Sequence, residues 1–209
     1  MQANAPLLHE DLFTVTLGEP AEKPSNVAAY IEDGRGDIAV GFSKAHAIVE
    51  ETFETHMVHQ GYLEPQACVV RVEGDGTINV WTSIQGIFNS QRDLATLFNV
   101  PSDRVIVHPM EIGGGFGGKT LVYVEPVAAL LSRKAGSPVK LSMNRAEVFQ
   151  GSGPPSGSWM RCKLGATQDG RITAIDASLA YEAGAFPGSP INPGLQCMTG
   201  PYELSLIHI

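Results

Sequence analysis

With 209 residues, 43% of them hydrophobic, the chain is long enough for one substantial core, or for a core with part of a neighbouring domain. Fourteen basic residues against 22 acidic ones give a net charge of −8, which argues against nucleic acid and an anionic membrane surface as partners. No run approaches the roughly 18 apolar residues that would span a bilayer. Small neutral or cationic substrates, or protein partners, fit better.

Glycine (23) and proline (14) are scattered through the chain, which suits a loop-rich enzyme more than a helical bundle. Cys68, Cys162 and Cys197 are odd in number and lack C-x-x-C spacing, so neither a disulfide framework nor a structural zinc site is predicted. With no leader pattern at residues 1–6, a reducing, cytoplasmic location is the expectation.

Residues 1–36 are broken by Pro20, Pro24, Gly34 and Gly36 and read as a connecting segment from a missing upstream domain. Ile38 to Phe42 reads as a short strand or turn, with Ser43 capping a brief helix over Lys44, Ala45 and His46. Ile48 to Thr55 alternates as a half-buried strand does. His56, His59 and Glu64 could be metal ligands, but Gly61 and Pro65 disfavour a helix to aim them, and a hydrogen-bonded loop or core pair is the simpler reading. Ala67–Val72 and Thr77–Thr82 form a hairpin about Glu73-Gly74-Asp75-Gly76. A helix over Asn89–Asn99 follows, with Leu94, Leu97 and Phe98 at helical spacing and Pro101 beyond it.

A strand, Arg104–His108, leads to the most informative run, Ile112 to Thr120, which holds five glycines in six residues. After it, Val124–Lys134 reads as a helix with Pro126 in its first turn and Gly136 past its end. Val139–Met143 is a predicted strand, and Arg161–Thr167 and Arg171–Ala180 are a second hairpin; Tyr181–Gly200 reads as loop. The mixture, without a strict βαβ repeat, predicts an α+β or mixed α/β fold. Residues 204–209 resemble the translated end of a sequencing-library adapter and are expected to be a non-native tail.

Gly113, Gly118, Lys119 and Thr120 satisfy the phosphate-cradling pattern G-x-x-x-x-G-K-[ST], and Ile172 to Asp176 could supply a magnesium-holding aspartate. A P-loop nucleotide-binding protein is therefore the alternative reading. Against it, a P-loop helix starts at the lysine. Pro126 would then sit deep in that helix, at a cost of about 3 kcal/mol. A plain glycine-rich turn that lets two backbones approach is the third possibility.

His59-Gln60-Gly61-Tyr62-Leu63-Glu64-Pro65, Val80-Trp81-Thr82-Ser83-Ile84-Gln85, Gly113 to Lys119, Gly136-Ser137-Pro138-Val139-Lys140 and Asn144-Arg145-Ala146-Glu147 occur in an order and at separations that resemble the large, molybdenum-binding subunit of the xanthine dehydrogenase and aldehyde oxidase family. The resemblance covers roughly residues 36–203 and implies that 37–203 are the first part of a molybdopterin-binding domain. It matches Gln85 to a glutamine whose side-chain amide bonds an oxo ligand of the molybdenum. Gly115, Phe116 and Gly117 match the loop that brings backbone N–H groups close to that ligand, with Phe116 a dry wall. No residue is expected to bind the metal directly, and the catalytic base, a glutamate, is expected beyond residue 203. Glu64 is read as a structural carboxylate satisfying backbone donors.

The implied cofactors are molybdenum–molybdopterin in its cytosine dinucleotide form, with 2Fe-2S clusters and FAD on partner subunits or domains. The implied partners are an iron–sulfur subunit and an FAD subunit, in a dimer of the heteromeric unit. The implied activity is hydroxylation of a carbon centre with water-derived oxygen. Xanthine-oxidising members carry a glutamate where this chain has Thr120 and an arginine in the segment that here reads Gly151 to Gly157. Both are missing, which points to an aldehyde, an N-heterocycle or another small carbon centre; carbon monoxide oxidation stays open.

Overall fold

The computed structural model describes residues 5–16, 19–184, 189–198, 200 and 202. In chain order the elements are β1 (Phe13–Thr16), β2 (Glu19–Pro24), β3 (Ala29–Tyr30), α1 (Ile38–Ser43), β4 (Ala47–Thr55), β5 (Ala67–Val72), β6 (Ile78–Thr82), α2 (Ile87–Phe98), β7 (Val105–Pro109), α3 (Glu125–Ala135), β8 (Val139–Ser142), α4 (Arg145–Gly151), β9 (Ser158–Ala166), β10 (Ile172–Tyr181) and α5 (Ile191–Met198). The fold is mixed α/β, as predicted. Two compact units divide it, Val58–Pro155 and the flanking pair Met1–Met57 with Ser156–Ile209.

The Val58–Pro155 unit is built on a four-stranded sheet in the order β7-β6-β5-β8. The β5/β6 hairpin is antiparallel, with Val70 opposite Val80, while β6 and β7 run parallel and are joined through α2. Period-two alternation puts Cys68, Val70, Ile78, Val80 and Val105 on one face, where they meet Leu94 and Ala95 of α2 and Ala128 and Ala129 of α3. The helical spacing is only half right. Leu94 is fully buried, but Leu97 is 62% exposed, because the inward stripe of α2 runs through Ser90, Leu94 and Ala95. Leu94→Ala is expected to cost about 2–5 kcal/mol of unfolding free energy, read from urea denaturation.

Both ends of the helices follow their sequence signals. Asn99 closes α2 and Gly136 closes α3 in left-handed conformations, and Pro126 lies in the first turn of α3. Ser132, buried in α3, accepts from the Val72 N–H at 3.0 Å and donates to the Ser137 carbonyl at 2.8 Å, tying helix to hairpin. One helix had no periodicity to announce it. α4 is opened by a capping box in which Asn144 accepts from the Glu147 N–H and the Glu147 carboxylate accepts from the Asn144 N–H.

In the flanking unit, β10-β9-β4 form an antiparallel sheet in which Val49 faces Leu164 and Leu164 faces Ile175. Three expectations need correction here. Residues 13–30 contain the short sheet β2-β1-β3 rather than connecting segment alone. The helix near residue 40 starts at Ile38, because Asp37, not Ser43, caps it by accepting from the Ala39 and Val40 N–H groups. β4 is exposed along all nine residues instead of half-buried, although β10 at the opposite edge of the same sheet buries Ala174 and Ile175. Part of the predicted 181–200 loop is also helical. α5 accommodates Pro193 in its first turn, where the missing N–H costs no helical bond. The expected tail at 204–209 lies outside the described residues.

Candidate functional site

The glycine run occupies the stretch between β7 and α3 and lies wholly within the Val58–Pro155 unit. Its shape is set by what stands beneath it. A Cβ at Gly115 would sit 2.5 Å from Gln85 Oε1, and one at Gly113 would sit 2.7 Å from the Glu64 Cβ. Side chains at those two positions would push the loop off both residues.

Gln85 follows β6 and is exposed, yet its amide is fixed. Oε1 accepts from the Gly117 N–H at 3.1 Å and from the Lys119 N–H at 3.2 Å. Two backbone donors on one oxygen settle which end of the amide is which, since an NH₂ group could not accept either of them. Nε2 is left as a donor without a protein partner among the described residues. Gly117 reaches this arrangement with φ +85°, and Phe116 beside it takes φ +48°, a left-handed conformation rare outside glycine. Phe116 is 73% exposed.

Underneath, Lys119 is 1% exposed. Its Nζ meets Glu64 Oε2 at 2.5 Å and lies 5.2 Å from the centre of the Tyr62 ring. The same carboxylate oxygen accepts from the Gly113 N–H at 2.8 Å. Burial pushes the Glu64 carboxyl up, but the Lys119 ammonium and the Gly113 N–H outweigh it and hold the group below its ordinary value. Glu64 thus satisfies a backbone donor, as the sequence suggested, and a buried cation besides.

The P-loop alternative fails on this geometry. α3 begins at Glu125, six residues beyond Lys119, so the lysine does not open a helix as it would in a P-loop, and the ammonium that should reach phosphate is sealed against Glu64. Thr120 donates its hydroxyl to the Gly117 carbonyl at 3.1 Å. Asp176, the would-be magnesium ligand, lies in β10 and pairs with Arg161 in the other unit.

His59 is held rather than offered. Nδ1 accepts from the Gly61 N–H at 3.0 Å, which makes Nε2 the protonated nitrogen, 2.9 Å from Ser152 Oγ, and Ser152 in turn donates to the Val148 carbonyl. Among the described residues no three His, Cys, Asp or Glu side chains converge on a metal site, and the three cysteines are free. The sequence missed the polar floor below the loop. Gln66 donates to the Tyr62 hydroxyl at 2.5 Å, and that hydroxyl lies 3.3 Å from Ser152 Oγ.

The Gly117 N–H, expected to reach an oxo ligand directly, is spent with that of Lys119 on Gln85 Oε1, so the donor the site offers is the Gln85 amide nitrogen, which suits an anionic oxo group. The comparisons agree. The family model described as molybdopterin cofactor-binding domain matches residues 19–209. The nicotinate dehydrogenase large molybdopterin subunit of Eubacterium barkeri is 30% identical over 178 residues, 83% of this chain and 42% of that protein. A probable xanthine dehydrogenase subunit of Bacillus subtilis is 27% identical over 207 residues, 98% of this chain and 26% of that protein. The reconstituted CO dehydrogenase from Oligotropha carboxidovorans superposes with a TM-score of 0.63 at 27% identity, covering 88% of this chain and 24% of that one. The chain belongs to the molybdopterin cofactor-binding domain family of the xanthine dehydrogenase and aldehyde oxidase class of oxidoreductases, and its fold is that of the first part of the domain. It spans between about a quarter and two fifths of the length of these relatives.

Proposed function

We propose that this chain supplies the Gln85 face of the molybdenum site in a hydroxylase that oxidises a small aldehyde, N-heterocycle or similar carbon centre with water-derived oxygen. The observation that carries the proposal is the fixed Gln85 amide, with Oε1 accepting from the Gly117 and Lys119 N–H groups so that Nε2 remains as the donor. When bound, the molybdenum cofactor, in its cytosine dinucleotide form, supplies the two-electron redox chemistry. Gln85 Nε2 donates a hydrogen bond to it, Gly115 keeps the approach open, and Gly117 acts through Gln85 by holding its oxygen. Phe116 presents an exposed ring, which becomes a dry wall once other parts of the protein cover it.

The substrate class follows from what the loop lacks. Thr120 is neutral and donates its hydroxyl to the Gly117 carbonyl, so this chain lacks the carboxylate that the resemblance gives to purine-oxidising members, which supports a non-purine substrate. The nicotinate-named relative at 30% identity fits an N-heterocycle. The base is a glutamate outside this chain. Electrons leave to 2Fe-2S and FAD partner subunits in a cytoplasmic dimer of the heteromeric unit. Among the described residues no helix is long and apolar enough to cross a membrane.

The full-length gene product, purified with its partner subunits, is expected to carry stoichiometric molybdenum and to turn over an aldehyde or a nicotinate-like heterocycle faster than xanthine. A product free of molybdenum, or one that oxidises xanthine fastest, would sink the assignment in its metal or its substrate half respectively.

A further inference from the structure

We infer that Lys119 and Glu64 form a brace that orients Gln85, and that both are positioning residues rather than ligands of any bound group. The inference rests on the reading of Gln85 as the donor facing the cofactor. A lysine ammonium is ordinarily left in water, yet this one is buried within a loop whose other members nearly all lack side chains. It therefore holds something in place.

Glu64 grips the loop at two points. Oε2 takes the Gly113 N–H at 2.8 Å and the Lys119 ammonium at 2.5 Å, and the Glu64 N–H donates to the Gly113 carbonyl at 3.2 Å. One carboxylate thus links the first glycine to the lysine six residues later, closing the loop into a ring. From that ring Lys119 reaches Gln85 with both of its peptide groups. Its N–H donates to Gln85 Oε1 at 3.2 Å, and its carbonyl accepts from the Gln85 N–H at 2.8 Å.

A shift of the Lys119 backbone therefore loosens the glutamine at its side chain and its main chain together. Without those contacts an exposed glutamine regains the rotamer freedom that a long side chain keeps in water. Charge-assisted bonds are shorter and more directional than neutral ones, which is why an ion pair suits the task better than an apolar plug. It also accounts for a lysine in a G-x-x-x-x-G-K-T run that meets no phosphate.

The test uses the ¹⁵N-labelled full-length gene product assembled with its partner subunits and reads the order parameter of the Gln85 side-chain amide by NMR. In the wild type the amide is expected in the rigid range, about 0.8, and in Lys119→Met it falls below about 0.6, while the backbone amides of β5 to β8 keep their shifts. The double variant Glu64→Gln/Lys119→Met leaves no lone buried charge and is expected to give the same fall. An ordered Gln85 amide in either variant would overturn the brace. So would unfolding of the double variant, since a positioning pair is dispensable to the core around Val80 and Leu94.

In the assembled, cofactor-loaded enzyme Lys119→Met is expected to lower kcat by about tenfold or more with KM nearly unchanged. Loss of amide order with kcat intact leaves the brace standing and removes the functional reading of Gln85 instead.

Discussion

Replacing Glu64 by alanine is expected to destabilise the Val58–Pro155 unit by about 3–5 kcal/mol, because it strands the buried Lys119 ammonium without a counter-charge and the Gly113 N–H without an acceptor. A third of the Glu64 side chain is exposed, which favours the lower end of that range. The neutral pair Glu64→Gln/Lys119→Met is expected to cost far less, since removing both charges also removes both desolvation terms. Urea midpoints distinguish the two cases. Acid adds a sign. The Glu64 carboxyl sits below its ordinary value of 4.5, so the unfolded chain binds its proton more tightly and the ion pair stabilises the fold fully above that value. The contribution is lost as pH falls through the folded value. The gap between wild type and Glu64→Ala should therefore be widest near neutrality and shrink in acid. A gap of constant size from pH 7 to pH 3 would mean that the pair carries no linked proton.

Gln85→Ala is expected to lower kcat of the assembled enzyme by about a hundredfold, or roughly 2.7 kcal/mol of barrier, the scale for losing one oriented donor to a developing negative charge. Stability should fall by about 1–3 kcal/mol, because the Gly117 and Lys119 N–H groups lose their shared acceptor. Gly115→Ala should move activity in the same direction with Gln85 still present, since the new Cβ would stand 2.5 Å from Oε1 and must displace it. Full activity in Gln85→Ala would remove the assignment at its root.

The legible part of this chain was what local chemistry dictates. The β5/β6 hairpin, the α3 helix with Pro126 inside and Gly136 outside, and the mixed class all follow from turn residues and periodicity. Burial was harder, because it depends on neighbours. β4 alternates apolar and charged residues as a half-covered strand would, yet nothing lies over it within its own sheet. α4 was invisible to periodicity since only Val148 of its seven residues is buried, although the Asn144–Glu147 box spelled its start. At the site, the residues of the loop and Gln85 could be paired through family likeness. The role of Lys119 could not, for a motif records that a lysine is present and not which way it points. The ion pair with Glu64, 55 residues earlier in the chain, is a tertiary fact.

Burial of one amine has a kinetic consequence as well. Amine-directed reagents need an accessible lysine, and Lys119 in its closed position is not accessible. Its modification must wait for the glycine loop to open, whereas the exposed lysines react from the folded chain. The ratio of the two rates converts directly into the free energy of local opening, so the residue that mimics a nucleotide-binding lysine serves as a built-in gauge of how tightly the loop is shut.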